Sequence, residues 1–207
     1  MNMALSAPTL PDRQAEFRQL RHQTKNALAR IIAQVSSSLG ANDAGRRVAR
    51  DVERRILLTA QISDALFGLT RAPSRFEERL RALCESVVDL AADCDQHLTL
   101  RCTVAGAVPA ECQDVMLRVA HELVGNAVKH GMHVRLIGRI DVRVGVDADG
   151  VRLEVADDGW GCGRDPADGE GLKLVSLLAG ECGGRVTLER VGERTVATLC
   201  LPARHAA

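Results

Sequence analysis

Aromatic side chains are scarce in this chain, with three Phe, one Trp and no Tyr among 207 residues. A protein that binds nucleic acid over its whole length normally shows a basic excess, and proteins that hold single strands commonly stack bases on aromatic rings. The formal net charge here is zero. Both absences argue against nucleic acid as a partner.

Cysteine occurs, but not in the patterns of a disulfide framework or a zinc site. The seven cysteines are odd in number, scattered along the chain and nowhere arranged as C-x-x-C. Disulfide scaffolds and structural zinc sites show regular, closely spaced cysteines. We therefore expect reduced, mostly buried thiols. The cysteines are Cys84, Cys94, Cys102, Cys112, Cys162, Cys182 and Cys200.

The chain also lacks a long apolar run. No segment approaches the roughly 20 apolar residues that span a bilayer, and the first residues, Met-Asn-Met-Ala-Leu-Ser, lack the basic and apolar regions of a signal peptide. We expect a cytoplasmic protein that has no contact with a membrane. The length and the 46% apolar fraction allow one large domain or two small ones.

The charges are unevenly distributed between the two parts of the chain. Residues 1–81 contain 14 Lys and Arg against 8 Asp and Glu, and residues 82–207 contain 13 against 19. Such an asymmetry predicts two parts with different roles.

Two amphipathic segments follow a short start, residues 1–10, that we expect to be flexible. Apolar or small residues recur at intervals of three and four from Phe17 to Leu39 and again from Val48 to Leu69, while residues 40–45 interrupt the pattern. The periodicity predicts two helices joined in a hairpin over residues 11–72.

A single helical hairpin cannot enclose a core when each helix carries only one apolar stripe. Two hairpins can do so as a four-helix bundle, and we therefore expect a homodimer through this segment. In the alternative, the hairpin packs on the C-terminal domain of its own chain.

A second domain is predicted over residues 73–207. Pro73 separates it from the hairpin, and Ser74 and Glu77 have the spacing of a capping box at a helix start. The pattern predicts an α+β fold, in which helices cover one face of a mixed sheet. Helices are predicted over 75–94, 110–130 and 171–182, and strands over 97–104, 140–146, 151–156, 185–191 and 195–201.

Polar side chains with complementary chemistry lie on one face of the helix predicted over 110–130. Glu122, Asn126 and Lys129 occupy positions i, i+4 and i+7, and such positions share a helix face. Oxygen ligands suit Mg²⁺, and a lysine offsets phosphate charge. A solvated polar stripe is the alternative when this helix is considered by itself.

Two glycine turns follow this helix. Asp157-Asp158-Gly159-Trp160-Gly161 comes directly after a strand, and Gly169-Glu170-Gly171-Leu172 precedes a helix. A carboxylate can accept a hydrogen bond from the amino group of adenine, and a helix N-terminus offers N–H groups to phosphate. Either turn alone is a weak signal, but their order and spacing together indicate a nucleotide pocket.

These segments resemble the ATP-binding domain of the GHKL superfamily, which has the Bergerat fold and includes histidine kinases, gyrase-type ATPases and anti-sigma-factor kinases. The segment around Asn126 is similar to the N box of the family, and the two turns are similar to its glycine boxes. The resemblance implies ATP and Mg²⁺ as cofactors, with the metal held by Asn126 and Glu122, adenine read by Asp157, and Thr195 assisting through water. The other implied nucleotide contacts are Lys129, His130, Gly159, Gly161, Gly169, Gly171 and Leu172.

The first predicted helix resembles the phosphoacceptor box of sensor histidine kinases of the HWE type or of a related group with a short lid. His22 is followed at i+3 and i+4 by Lys25 and Asn26. At about 100° per residue, His22 lies about 160° to 200° from the apolar stripe and faces outward. The lid is also short here, because only five residues separate Gly163 from Gly169.

The resemblance implies a histidine kinase of a two-component system. The γ-phosphoryl group of ATP would pass to His22, assisted by Lys25, Asn26 and Glu122, and then to an aspartate in the receiver domain of a response regulator. A separate sensor protein would supply the signal. The alternative is an ATP-independent histidine phosphotransferase that relays phosphoryl groups between receivers. An anti-sigma-type serine kinase is a third interpretation, but that branch lacks the hairpin.

Overall fold

The computed structural model describes residue 33 and residues 43–67, 75–160 and 170–203. Within these residues the chain forms four α-helices, one π-helical turn and five strands. In chain order they are α1 Asp43–Phe67, α2 Phe76–Ala91, β1 His97–Ala105, α3 Ala110–Asn126, the π-helical turn Ala127–Gly131, β2 Ile137–Asp147, β3 Gly150–Asp157, α4 Glu170–Glu181, β4 Arg185–Val191 and β5 Arg194–Pro202.

Helix α1 corresponds to the second helix of the predicted hairpin and starts earlier than the pattern predicts. Asp43 and Gly45, which the sequence assigns to the interruption, belong to its first turn. Asp43 pairs with Arg46 one turn along the helix, and an acidic residue at a helix N-terminus interacts favourably with the helix dipole. The first predicted helix lies outside the described residues except for residue 33, so the hairpin and its four-helix bundle stay predictions.

The chain divides into two units, Met1–Leu57 and Leu58–Ala207. Residues 58–67 of α1 pack within the second unit, where Ile62 and Ala65 contribute to the core. Arg79 Nη2 also donates a hydrogen bond of 3.0 Å to the Ala65 carbonyl. The domain boundary predicted at residue 73 is not tested by these contacts.

Helix α2 begins one residue later than the predicted capping box places it. Its N-cap residue is Arg75, whose side chain makes no capping hydrogen bond, and Ser74 lies outside the described residues. Glu77 instead pairs with Arg81 at 2.9 Å, one turn along the helix. The carboxylate that the pattern assigns to a cap is therefore used on the helix surface.

The five strands form one mixed sheet in the order β1-β2-β3-β5-β4. Strands β1 and β2 are parallel and are connected through α3, whereas the other neighbours are antiparallel. The turn between β2 and β3 matches the predicted Asp-Gly turn, because Asp147 Oδ1 accepts the N–H groups of Asp149 at 2.9 Å and Gly150 at 3.1 Å. Gly150 has φ +142°, which glycine adopts readily.

Helices α2, α3 and α4 cover one face of this sheet, as the predicted α+β fold requires. Side chains on alternate strand positions join the helices in one hydrophobic core. The fully buried side chains include Leu80, Leu83, Met116, Leu117, Val175, Ile140, Leu153 and Leu199. No helix among the described residues is both long and apolar enough to cross a membrane.

The six cysteines in the described part of the chain are free thiols. The prediction that most are buried is wrong, because only Cys84 is buried, Cys94 is exposed and the others are half-buried. Cys102 lies on β1 at the edge of the sheet, where the helices cover it only partly.

Candidate nucleotide site

The polar face of α3 ends in the π-helical turn. Glu122 and Asn126 lie one turn apart and are half-buried, while Leu123 and Val124 are buried in the core. In the turn that follows, the Met132 N–H donates to the Ala127 carbonyl at 2.9 Å, which is an i to i+5 bond. Such turns are rare and often lie at functional sites.

The prediction of an α-helix to residue 130 is therefore wrong in its last turn. A π-helical turn holds an extra residue, so Lys129 does not keep the 3.6-residue phase of Glu122 and Asn126. Lys129 and His130 are exposed, whereas Glu122 and Asn126 are half-buried. The predicted alignment of all three polar groups on one α-helical face thus holds only for the first two.

Asp157, at the end of β3, packs against the end of this turn. Its side chain is 5% exposed, and Oδ1 accepts the Gly159 N–H at 2.9 Å. A Cβ on Gly131 would lie 2.5 Å from the same Oδ1. A Cβ on Gly159 would lie 2.7 Å from the Gly131 Cα. Only glycine at both positions allows this approach.

The Gly131 backbone also binds the first glycine turn directly. The Trp160 N–H donates to the Gly131 carbonyl at 3.1 Å, and the Trp160 side chain is 75% exposed. Asp158 joins the turn to β2, because its Oδ1 accepts the Arg139 N–H at 2.8 Å. The turn is therefore held on both sides, by the π-helical turn and by β2.

Burial raises the pKa of Asp157 above its ordinary value. The Gly159 hydrogen bond and the positive charges of Arg190 and Arg194 favour the ionised carboxylate, and the charge of Asp158 opposes it, with a net increase in pKa. Among the described residues, Oδ2 of Asp157 accepts no hydrogen bond. One oxygen of this buried carboxylate thus accepts a hydrogen bond, and the other has no donor among the described residues.

The start of α4 meets the polar face of α3. A Cβ on Gly171 would lie 2.7 Å from Glu122 Oε2 and 3.8 Å from Asn126 Nδ2. The first turn of a helix carries unsatisfied N–H groups and the positive end of the helix dipole. Backbone N–H groups that can donate to a phosphate therefore lie beside two oxygen-bearing side chains, as a phosphate with a bound Mg²⁺ requires.

The donor set fits Mg²⁺ rather than a metal held by protein groups alone. Among the described residues, no group of three His, Cys, Asp or Glu side chains could hold a metal ion. Mg²⁺ commonly takes one or two protein oxygens and completes its shell with phosphate and water. Glu122 and Asn126 can supply such oxygens, and Glu122 is oriented by His121 Nδ1 at 3.2 Å.

Thr195 lies beside Asp157 in the sheet. The two residues are register partners on β5 and β3, and direct cross-strand partners project their side chains to the same face. Arg190 on β4 is the partner of Thr195 on its other side, and its Nη1 donates to Thr195 Oγ1 at 3.2 Å. Thr195 is predicted from the sequence but Arg190 is not, since an exposed strand arginine has no distinguishing pattern.

A buried aspartate outside the glycine turns supports the end of β3. Asp141 on β2 is 1% exposed and accepts hydrogen bonds from Arg139 Nη2 at 2.9 Å and Arg194 Nη2 at 2.5 Å. Arg194 also donates to the Ala156 carbonyl at 3.1 Å, next to Asp157. Sequence reasoning missed Asp141, although an acid within a buried strand between arginines is a usable signal.

The remaining predicted site residues divide into described and undescribed positions. Leu172 is half-buried and packs on the core, so only its backbone can contribute to the helix start. The candidate residues outside the described part of the chain are His22, Lys25, Asn26, Gly161 and Gly169.

A family model matches the sequence of this region. Residues 112–205 match the model described as histidine kinase-, DNA gyrase B-, and HSP90-like ATPase. The match and the mixed five-stranded sheet show a GHKL ATPase fold. No curated protein matches the chain in sequence.

Solved structures of similar fold include two of one bacterial protein. The histidine kinase domain of the Erythrobacter litoralis EL346 blue-light activated histidine kinase is 19% identical with a TM-score of 0.57, over 86% of this chain and 95% of that one. A second structure of that kinase is 20% identical with a TM-score of 0.59, over 96% of this chain and 62% of that one.

A third structure, titled a bacterial phosphotransferase, has the same fold. It is 14% identical with a TM-score of 0.52, over 95% of this chain and 100% of that one. At these identities the likeness concerns the fold.

Proposed function

We propose that this protein is an ATP-dependent histidine kinase of a two-component system. Its C-terminal domain binds ATP with Mg²⁺, the γ-phosphoryl group is transferred to His22, and an aspartate in a response regulator then receives it. The family match over residues 112–205 and the similarity to a histidine kinase domain support this assignment. The finer assignment to the HWE type or a related group depends on the segment around His22.

The observation that carries the proposal is the buried carboxylate of Asp157. The Gly159 N–H donates to Oδ1, so Oδ2 would accept a hydrogen bond from the amino group of adenine. Gly131 and Gly159 pack so closely beside it that a Cβ at either position would clash. This is the chemistry that a purine with an exocyclic amine requires.

The phosphates of the nucleotide would bind where the start of α4 meets Glu122 and Asn126. Glu122 and Asn126 would hold Mg²⁺ and its waters, and the N–H groups at the start of α4 would bind phosphate. Bound Mg²⁺ would offset the charge of the phosphates during transfer. The exposed Lys129 adds a positive charge beside this cluster. Lys25 and Asn26 would orient His22 or neutralise the transferred group.

Radiolabelled ATP tests this proposal directly. We expect wild-type protein to acquire label that acid releases and alkali does not, since this is the behaviour of phosphohistidine. His22→Ala should abolish labelling, whereas His133→Ala, at an exposed histidine outside the site, should retain it. A wild-type protein that binds ATP but carries acid-stable label would instead indicate a serine kinase.

Asn126 is tested by the same assay with a matched carboxamide. Asn126→Ala should abolish nucleotide-dependent labelling because it removes a metal ligand. Gln113→Ala removes a carboxamide from the first turn of the same helix, where Gln113 Nε2 donates to the Val108 carbonyl at 3.1 Å, and labelling should persist. Full labelling of Asn126→Ala would contradict the pocket assignment.

The second candidate is an ATP-independent histidine phosphotransferase. The short segment between Gly163 and Gly169 favours it, because little chain is available to close over ATP, and one structure of similar fold is titled a phosphotransferase. This function predicts no label from ATP and His22-dependent uptake from a phosphorylated receiver domain. Incubation with a phosphorylated receiver therefore separates the two candidates.

We also propose a homodimer through residues 11–72, with a separate sensor protein as the source of the signal. The apolar stripe along each predicted helix supports this assembly. Light scattering of the full chain should give twice the mass of 22.3 kDa. A monomer would favour packing of the hairpin on its own chain.

A further inference from the structure

We propose that Arg190 is a positioning residue for adenine recognition, which holds the first glycine turn so that Asp157 faces the base. The inference rests on the proposed function, because it concerns the same nucleotide site. It adds a residue of β4 to a pocket that the sequence places only on α3, β3, β5 and the glycine turns.

Three neighbouring strands place the relevant side chains in one row. Asp157 on β3 pairs with Thr195 on β5, and Thr195 pairs with Arg190 on β4. Their side chains therefore share the face of the sheet on which Gly131 lies. From there Arg190 Nη1 donates to the Gly159 carbonyl at 3.0 Å and to Thr195 Oγ1 at 3.2 Å. Nη1 carries two hydrogens, so both bonds form together.

These bonds restrain a residue that has little restraint of its own. Glycine has the largest backbone freedom of any residue, and Gly159 must hold one orientation for its N–H to meet Asp157 Oδ1 at 2.9 Å. Arg190 fixes the carbonyl of the same residue. The N–H and the carbonyl of Gly159 are thus both hydrogen-bonded. The same contacts orient the carboxylate of Asp157 and with it Oδ2.

The charge of Arg190 acts in the same direction as its geometry. Burial raises the pKa of Asp157 and so does the charge of Asp158, while the Gly159 hydrogen bond and the charges of Arg190 and Arg194 lower it. Removing the charge of Arg190 therefore raises this pKa further. A protonated carboxyl is a weaker acceptor for an amino group. As the pH is lowered, ADP binding should therefore begin to weaken at a higher pH in a variant without this charge than in wild type.

The chain offers a matched control on the same strand. Arg185 is exposed like Arg190, and its strand partner is Cys200, at the far end of β4 from Thr195. Arg185→Gln removes the same charge from β4 as Arg190→Gln but leaves the Gly159 carbonyl bonded. Arg190→Lys keeps the charge and loses the forked geometry of the guanidinium group.

The experiment measures the dissociation constants of ADP and of its analogue without the 6-amino group by calorimetry, with the full chain and Mg²⁺. Arg190→Gln should weaken ADP binding about 3- to 10-fold and leave the analogue nearly unaffected, because only the amino group depends on Asp157. Arg190→Lys should recover part of the affinity, and Arg185→Gln should match wild type. The acid limb of ADP binding should move to higher pH in Arg190→Gln.

Each other outcome is decisive. Equal weakening of ADP and the analogue would show a merely structural role, and an unchanged affinity and pH profile in Arg190→Gln would overturn the inference while the proposed function stands. Failure of wild-type protein to bind ADP would overturn both. If Arg190→Gln does not fold, Arg190→Lys provides the test. Should Arg190→Lys prefer ADP over the analogue as strongly as wild type does at every pH, the guanidinium group of Arg190 has no positioning role.

Discussion

The carboxylate of Asp157 lies directly against Gly131, at the junction of the first glycine turn with the π-helical turn. A Cβ at Gly131 would come within 2.5 Å of Oδ1 and 2.8 Å of the carboxylate carbon. The two residues are 26 positions apart in sequence, and neither carries a signal for this contact. The carboxylate that we propose to read adenine therefore lies against the turn that follows the helix carrying Glu122 and Asn126.

Gly131→Ala should uncouple that orientation from the rest of the fold. The new methyl group would displace the carboxylate of Asp157, and we expect adenine nucleotide affinity to fall by on the order of tenfold, measured by calorimetry. Gly125→Ala is the matched control, because its Cβ would meet only Val87 Cγ1 at 3.9 Å. Equal affinities for the two variants would show that Asp157 does not read the base.

Asp157→Asn should separate stability from binding. Asparagine can still accept the Gly159 N–H through Oδ1, but its NH₂ group then stands where Oδ2 was and opposes the amino group of adenine. Nucleotide affinity should fall at least about tenfold. Since the folded-state pKa of Asp157 is raised, ionisation disfavours the fold as pH rises through and above about 4. The variant should therefore unfold at an equal or higher temperature at pH 7, and a lower temperature would contradict this account.

Asp141→Asn should destabilise the fold in a way that depends on pH. Burial alone would raise the pKa of Asp141, but hydrogen bonds from Arg194 and Arg139 lower it below its ordinary value. This group therefore adds stability above about pH 4 that is lost as pH falls through the folded-state pKa. We expect a loss of about 1 to 3 kcal/mol at pH 7, and the loss should shrink in acid.

Urea unfolding at several pH values measures this effect, with Glu154→Gln as the control. Glu154 pairs with Arg143 at 2.7 Å but its side chain is 30% exposed, and such pairs contribute about 0 to 1 kcal/mol. A similar loss in both variants, at every pH, would show that burial of Asp141 is not decisive.

Cys84 and Cys102 should differ in reactivity. The hydrogen bond between the two thiols, with burial, raises the pKa of Cys84, and the same hydrogen bond lowers the pKa of Cys102 despite partial burial. Thiolates are the reactive form. In alkylation followed by peptide mass spectrometry, the pH midpoint for Cys102 should lie lower in wild type than in Cys84→Ala. Identical midpoints would exclude the hydrogen bond as the cause.

Sequence periodicity predicts the elements of the second domain well. The strand over 185–191 is predicted with its observed bounds. The wrong predictions concern segments whose local sequence pattern is compatible with more than one structure. The helix that ends at Asn126 continues as a π-helical turn, whose Gly131 carbonyl accepts the Trp160 N–H of the first glycine turn, and that partner is distant in sequence.

The sequence by itself determines the chemistry of the site: an acid and an amide one turn apart on a helix, an aspartate at a strand end, and glycines where a ligand or backbone must approach closely. Only the tertiary structure decides that Gly171 meets Glu122 and Asn126, that Gly131 supports Asp157, and that Arg190 holds Gly159. The reason is physical. Side-chain period depends on neighbours along the chain, whereas these contacts join distant segments whose distances are set by sheet order and core packing.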